Sequence, residues 1–387
     1  MYLAGLLADR GLAVRWHAVV RDETEDIVAA LHAAATERGA RACVVSGGLG
    51  PTDDDRTAAS AAQALGVGIT RSQEWIDHLE RRYSSLGRAV LDDNRQQADL
   101  PDGAELIWND RGTAPAFGAV LSGCQLFFLP GVPREYRPLC RDVVVPRIAE
   151  AAGIDPSTVA TRTLKTFGLP EAEAGRRLAG VAEETGAWIG YRASFPEVHV
   201  RLRGRPETVD AAAALVAERL APAVYSDGGE GSDTTFPDAV VRALRGAQAT
   251  LAVAESCTGG LAGKLITDVA GASDVFVGGA LVYSNALKRS FADVPEDLLA
   301  DHGAVSEAVA GALAEGIRGR TAATYGLGIT GVAGPGGGTD DKPVGLVWMA
   351  VSGPGGVKTR RLQFPGDRAQ VRRLAAFAGL EMVRRRT

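Results

Sequence analysis

Four residue types placed where strands end and helices begin give this chain its most promising chemistry. The stretch LAVAESCTGG, Leu251 to Gly260, has an apolar run followed by Glu255, Ser256, Cys257, Thr258 and two glycines. That order predicts a buried strand turning into a helix, with the Ser256 hydroxyl at the top of a sheet and backbone N–H groups facing developing negative charge. A serine is a weak nucleophile at neutral pH, and a desolvated lysine can act as its base. Lys288 is the candidate base, about a turn beyond Tyr283, which ends the strand expected over Val275 to Tyr283. Tyr283 could relay or orient the proton, or help hold Lys288. A third strand end, Leu327 to Thr330, supplies Thr330 and runs into the glycine-rich ITGVAGPGGGTDDKPVG. Backbone N–H groups near Gly331, or at the helix start by Thr258 and Gly259, are candidates for the oxyanion hole. Gly331, Gly334 and Gly336, with Arg368 or Arg372, could bind a phosphate. Each has a bland alternative: Ser256 or Thr258 as a helix cap, Lys288 as a surface lysine, Tyr283 as a core aromatic, the arginines as a solvated face. Cys257 is the rival nucleophile and ranks below Ser256, because thiols in such positions are often simply buried.

A second candidate site lies in the loop SGGLGPTDDDRT, Ser46 to Thr57. Gly48 and Gly50 can bring backbone N–H groups to an anion. Asp53, Asp54 and Asp55 are hard oxygen donors that could hold magnesium or manganese, with Asp54 and Asp55 the metal candidates. The alternative is an acidic helix N-terminus. Asp53 stands where a dinucleotide fingerprint needs its third glycine, which excludes that motif.

The elements around these residues alternate. In the front segment, a helix from Tyr2 ends at Gly11, Ala13 to Val20 is expected as a strand, Glu25 to Arg38 as a helix and Ala42 to Ser46 as a strand. Gln125 to Leu129 is a further strand, and Pro133 opens a helix after it. This pattern predicts a mostly parallel sheet with helices on both faces and ligands beyond the strand carboxyl ends. From Ala160 the pattern becomes α+β: a strand through Phe167, a helix after Pro170, strands Trp188 to Ala193 and Glu197 to Leu202, and a helix Glu207 to Leu220. Arg201, Arg203 and Arg205 there are read as a solvated strand face. GGEGSD, Gly228 to Asp233, is expected to be a linker. The last segment has a helix Phe236 to Leu244, the three strand ends above, a strand Val344 to Ser352 and a final helix from Asp367. The domains expected are 1–150, 158–228 and 234–387.

The chain has 387 residues, with 42 Lys and Arg against 47 Asp and Glu, a formal net charge of −5. This excludes a global attraction for nucleic acid or anionic membrane and leaves a local basic patch open. Four scattered cysteines suggest neither a zinc site nor a disulfide framework and fit a reducing cytoplasm. No apolar run reaches the roughly 18 residues of a membrane span, and the first residues lack the order of a secretory signal.

Three resemblances follow from the motifs. GGLGPTDDDRT, NRQQA (Asn94 to Ala98), GTAP and LPGVPREY make the front segment similar to the molybdopterin-binding fold of the MoaB/MogA type at the front of CinA proteins. That resemblance implies a further strand ahead of the first helix, so the front domain is expected as an open sheet lacking its first strand. It also implies ADP-ribose pyrophosphatase activity with a divalent metal, or ligand binding alone. The middle segment resembles the KH-like insert of CinA proteins. It has no GXXG loop of the kind RNA-binding KH domains use, so a spacer or dimerisation element is expected, and the chain as a homo-oligomer, a dimer. AESCTGG, GGALVYSNALK, HGAVSE (His302 to Glu307), the glycine-rich run and GDRAQVR make the last segment closely similar to the PncC family, which also forms the C-terminal domain of CinA proteins. The resemblance implies hydrolysis of nicotinamide mononucleotide to nicotinate mononucleotide and ammonia, with no cofactor. Ser256 would be the nucleophile, Lys288 and Tyr283 its partners, and Thr330 part of the substrate pocket. A competence-associated scaffold and a pterin-binding module are the other readings. Direct nucleic-acid binding is not expected.

Overall fold

The structure is a computed structural model and describes residues 2–155, 158–229 and 234–387. The chain divides into two compact units, Met1–Ala160 and Thr161–Thr387.

The first unit contains β1 (Ala42–Ser46), β2 (Ile69–Arg71), β3 (Asp99–Pro101), β4 (Glu105–Ile107), β5 (Ala116–Leu121) and β6 (Cys124–Leu129). Its main sheet runs β1-β6-β5-β4, and β2 pairs with β3 apart from it. Only β1 and β6 are parallel. The β5–β6 hairpin and the β4–β5 pair are antiparallel, so the expected mostly parallel sheet is corrected to a mixed one. Alternation along β6 sends Leu126 and Phe128 to one face, under helices Thr24–His32 and Thr57–Leu65. Phe127 and Leu129 go to the other, under helices Pro133–Leu139 and Val145–Ala151. Ala13 to Val20, expected as a strand, has no regular structure: no strand pairs with it among the described residues, and Val14, Val19 and Val20 are exposed. β-Branched residues favour a strand only when a neighbour offers both a ladder and a face to pack on.

The second unit opens with β7 (Ala160–Phe167), β8 (Trp188–Ser194), β9 (Glu197–Gly204) and β10 (Val224–Ser226), ordered β10-β7-β9-β8. Helices Glu171–Arg177, Val181–Thr185 and Pro206–Arg219 complete this part. Residues 230–233, where most of the expected GGEGSD linker falls, lie outside the described residues. The second sheet comprises β11 (Leu251–Glu255), β12 (Phe276–Leu281), β13 (Tyr325–Gly331), β14 (Leu346–Gly353) and β15 (Gly356–Gln363), ordered β12-β11-β13-β14-β15. β12, β11 and β13 are parallel, and β14 and β15 antiparallel, so the carboxyl ends of the three parallel strands open on one edge. Leu251 and Val253 of β11 join the cluster under helices Phe236–Gly246 and Arg368–Arg384. Ala252 and Ala254 face helix Glu307–Thr321 and its neighbours. That helix sits hard on the sheet: a Cβ at Gly328 would lie 2.5 Å from the Ala310 carbonyl oxygen.

The middle sheet is not a free spacer. Phe167 and Tyr225 enter the same apolar cluster as the last segment, with Phe167 5.1 Å from Phe236 and Phe236 stacked at 4.8 Å on Phe377. No helix among the described residues is long and apolar enough to cross a membrane.

Candidate active site

β11 delivers Glu255 and Ser256 at its carboxyl end. Every residue of β11 is buried, which fixes the strand, and the Ser256 N–H donates to the Ile329 carbonyl of β13 at 3.0 Å. Glu255, assigned no role from the sequence, organises the turn. Its carboxylate is fully buried and accepts the N–H groups of Gly260 (3.0 Å), Ala262 (3.1 Å) and Gly263 (2.8 Å), which start the helix Leu261–Thr267. A charged acceptor satisfying three orphan helix donors locks the segment carrying Ser256. It also removes those N–H groups from the candidate oxyanion hole, and the Gly259 N–H is taken by the Ser256 carbonyl at 3.2 Å. The N–H groups of Cys257 and Thr258 enter no backbone hydrogen bond among the described residues.

Lys288 lies on helix Asn285–Ala292, whose N-cap Ser284 accepts the Leu287 N–H. Only 1% of Lys288 is exposed, so it is no surface lysine. Its Nζ lies 3.2 Å from Ser256 Oγ and donates to the carbonyls of Val282 (2.8 Å) and Tyr283 (3.1 Å). Burial pushes the Lys288 amine below its ordinary value. Burial pushes the Cys257 thiol up to about 12, which disfavours its thiolate.

Tyr283 is 65% exposed, which corrects the core-aromatic alternative, and its phenol makes no hydrogen bond to Lys288. The main-chain carbonyl of Tyr283 makes that contact. The phenol oxygen instead accepts from Arg368 Nη2 at 3.3 Å, while Arg368 Nη1 donates to the Gly334 carbonyl at 2.8 Å. Thr330 is buried, and its hydroxyl donates to the Ala304 carbonyl at 2.7 Å, turning its lone pairs elsewhere. Ser256, Cys257, Tyr283, Lys288, Thr330 and Arg368 line a cavity of about 200 Å³ that Gly331 also borders. Ala304 and Val305, from the HGAVSE motif, form part of its wall.

Other expected ligand residues take different places. Arg372 donates from Nε (3.2 Å) and Nη2 (2.7 Å) to the Thr258 carbonyl, bracing the nucleophile turn from helix Arg368–Arg384. Thr258, Gly259, Gly334, Gly336 and Arg372 are not among the residues that line the cavity.

In the first unit, the loops after the parallel β1 and β6 enclose a cleft of about 450 Å³ whose lining includes Gly48, Gly50, Asp55, Gln97, Gly131 and Glu135. A Cβ at Gly50 would lie 2.3 Å from the Asp55 carboxylate, which accepts the Thr52 N–H at 3.1 Å and hydroxyl at 2.7 Å. Asp53 and Asp54 do not line the cleft. Among the described residues no three His, Cys, Asp or Glu side chains gather as a metal cage, so Asp53, Asp54 and Asp55 do not fit a three-carboxylate site.

Three family profiles match the chain: a probable molybdopterin binding domain over residues 1–150, the damage-inducible protein CinA KH domain over 161–226, and the CinA C-terminal domain over 233–387. A CinA-like protein of Anaeromyxobacter dehalogenans is 42% identical over 99% of this chain and 93% of its own length. The chain belongs to the CinA family. A CinA-like protein of Myxococcus xanthus is likewise 42% identical, over 99% of this chain and 92% of its own. Among solved structures, the competence/damage inducible protein CihA of Agrobacterium tumefaciens is 34% identical and covers 38% of this chain and 90% of its own, with a TM-score of 0.37. The CinA C-terminal match spans all the residues that line the smaller cavity.

Proposed function

We propose that the C-terminal domain is a cytoplasmic amidohydrolase that cleaves the carboxamide of nicotinamide mononucleotide, giving nicotinate mononucleotide and ammonia. The observation that carries this reading is the buried contact between Lys288 Nζ and Ser256 Oγ. A neutral amine has two N–H bonds and one lone pair. With the N–H bonds directed to the Val282 and Tyr283 carbonyls, the lone pair is left for the Ser256 hydroxyl proton. Ser256 Oγ then attacks the carboxamide carbon as Lys288 takes its proton. The tetrahedral oxyanion is met at the cavity wall by the N–H group of Cys257, in place of the helix-start donors that Glu255 occupies. Lys288 returns the proton to the departing nitrogen, ammonia leaves, and water releases the acyl group from Ser256 by the same route in reverse. Thr330, its own proton committed to Ala304, accepts from the substrate NH2. Arg368 retains N–H groups for a phosphate at the cavity mouth, whereas Arg372 serves the turn.

The test is ammonia release by the full chain from nicotinamide mononucleotide, its dephosphorylated riboside and free nicotinamide. The reading expects turnover of the mononucleotide, a weaker response to the riboside and none with nicotinamide. Silence with all three would overturn it. The larger cleft of the first unit favours a second reading for that unit alone, the binding of a small ligand against its glycine loop.

A further inference from the structure

The five-stranded sheet of the last segment has two edges, and they are built differently. β15 forms one edge and carries Lys358, Arg360 and Arg361, all exposed. Charges along an edge keep another strand from pairing there. β12 forms the other edge and pairs only with β11 among the described residues. Its sequence, FVGGAL, holds neither charge nor proline. Beyond a one-residue bulge at Val277, Gly278 to Leu281 keep regular register with β11, and no second strand takes up their outer side.

The apolar surface continues past this edge. Val277 and Leu281 stand out from β12, Tyr283 joins the strand to helix Asn285–Ala292, and Leu287 and Phe291 follow on that helix. Lys288 and Ala292 face inward, and Gly316 of helix Glu307–Thr321 has no room for a Cβ against the Ala292 carbonyl. Leu287 and Phe291, four residues apart, share a flank left open to solvent. All five side chains are 37–65% exposed, and they come from one consecutive strand, turn and helix.

We propose that this surface receives a second copy of the chain, β12 against β12 across a two-fold axis, and that the second copy closes the mouth of the Ser256 cavity. A two-fold axis sets the strands antiparallel, so the unpaired N–H groups of one copy meet carbonyls of the same segment in the other. With no charge on β12, self-pairing brings no like charges together. The five side chains expose roughly 400–500 Å² per copy, so covering both sets buries about 1,000 Å², the lower bound of a specific interface. A short peptide added to the edge would leave Leu287 and Phe291 uncovered. Tyr283 ties the contact to the chemistry, because its ring is exposed in this surface and also lines the cavity. A copy seated on it shuts that side of the cavity from bulk water, which strengthens the electrostatic interactions inside. The interface rests on the surface alone, and the effect of closure on turnover rests on the amidohydrolase reading.

The experiment is sedimentation velocity of the full chain, with ammonia release measured over the same dilution series. Wild type should sediment at twice the 40.2 kDa of one chain, and its turnover per chain should fall on dilution in step with the dimer fraction. Neither Val277 nor Phe291 lines the cavity. Val277→Glu with Phe291→Glu should sediment as a single chain and lose about tenfold in kcat/KM. Val277→Thr with Phe291→Ser adds no charge and should raise the dimer dissociation constant by about tenfold or more. Hydrogen exchange at Gly278 to Leu281 should be slow in the wild-type dimer and fast in the separated variant. A single chain at every concentration, a trimer or larger ring, or a dimer untouched by both double variants would overturn the interface. Full turnover by the separated chain would overturn the closing of the cavity. A wild-type dimer that releases no ammonia would remove the closure's effect on turnover together with the amidohydrolase reading, while mass and exchange still decide the interface. Matching thermal melts establish that the variants are folded.

Discussion

Glu255→Gln tests whether the nucleophile turn is held by a buried charge. The carboxylate accepts two N–H groups on one oxygen, from Gly260 and Ala262, and one on the other, from Gly263. A glutamine keeps one oxygen and replaces the second with an NH2 that cannot accept. Keeping the doubly bonded oxygen strands the Gly263 N–H, at about 1–3 kcal/mol for an unsatisfied buried donor. The remaining bonds lose their charge assistance, at roughly 1 kcal/mol each. The total is about 3–5 kcal/mol, which for a unit of roughly 200 residues lowers Tm by about 6–20 °C. The turn carries Ser256, so kcat for ammonia release should also fall, by about tenfold or more, with KM little changed. Differential scanning calorimetry and steady-state kinetics on the full chain read the two effects. A Tm within about a degree of wild type together with an unchanged kcat would refute the clamp, since the loss of even 1 kcal/mol would show as a larger shift.

Lys288→Ala should lower kcat by about 10²- to 10⁴-fold, the range for a general base, while substrate binding measured by calorimetry stays near wild type. Burial holds the Lys288 amine below 10.5, so activity should rise with pH along a limb below that value. Because folding favours the neutral amine, the wild-type chain gains stability as pH climbs from the folded pKa towards 10.5. Lys288→Met should lack that part of the slope in urea titrations across the pH range. Gly328→Ala places a methyl 2.5 Å from the Ala310 carbonyl oxygen and should cost about 1–3 kcal/mol by forcing helix Glu307–Thr321 off the sheet, visible as a lower urea midpoint.

Much of the site's frame was legible in the sequence. An apolar run ending in a hydroxyl and two glycines can hardly be other than a strand turning into a helix, and β11 and helix Leu261–Thr267 are that. The pairing of Ser256 with Lys288 came from their placing at neighbouring strand ends and from the family motifs. What could not be read was which atom of a residue acts. Tyr283 contributes its carbonyl to Lys288 and its ring to the cavity mouth, and residue type does not distinguish the two. Arg368 and Arg372 lie one turn apart, yet one reaches the cavity and the other braces Thr258, a division set by the path of the turn. Glu255 was visible within its motif, but a carboxylate beside a serine gives no sign that it will point back at a helix start. Helix Glu307–Thr321 was missed because its small residues, Ala310 and Ala314 among them, give little contrast between faces, although small residues are what let it sit on Gly326 and Gly328. Ala13 to Val20 departs from expectation for the opposite reason: its residue types suit a strand, but no strand pairs with it among the described residues.

In the proposed reaction Ser256, activated by Lys288, attacks the substrate amide. The direct measurement is ammonia release from nicotinamide mononucleotide by Ser256→Ala and Cys257→Ala, each with a melting curve to establish that it is folded. Ser256→Ala should be inactive, and Cys257→Ala should retain turnover. An active Ser256→Ala beside an inactive Cys257→Ala would contradict it.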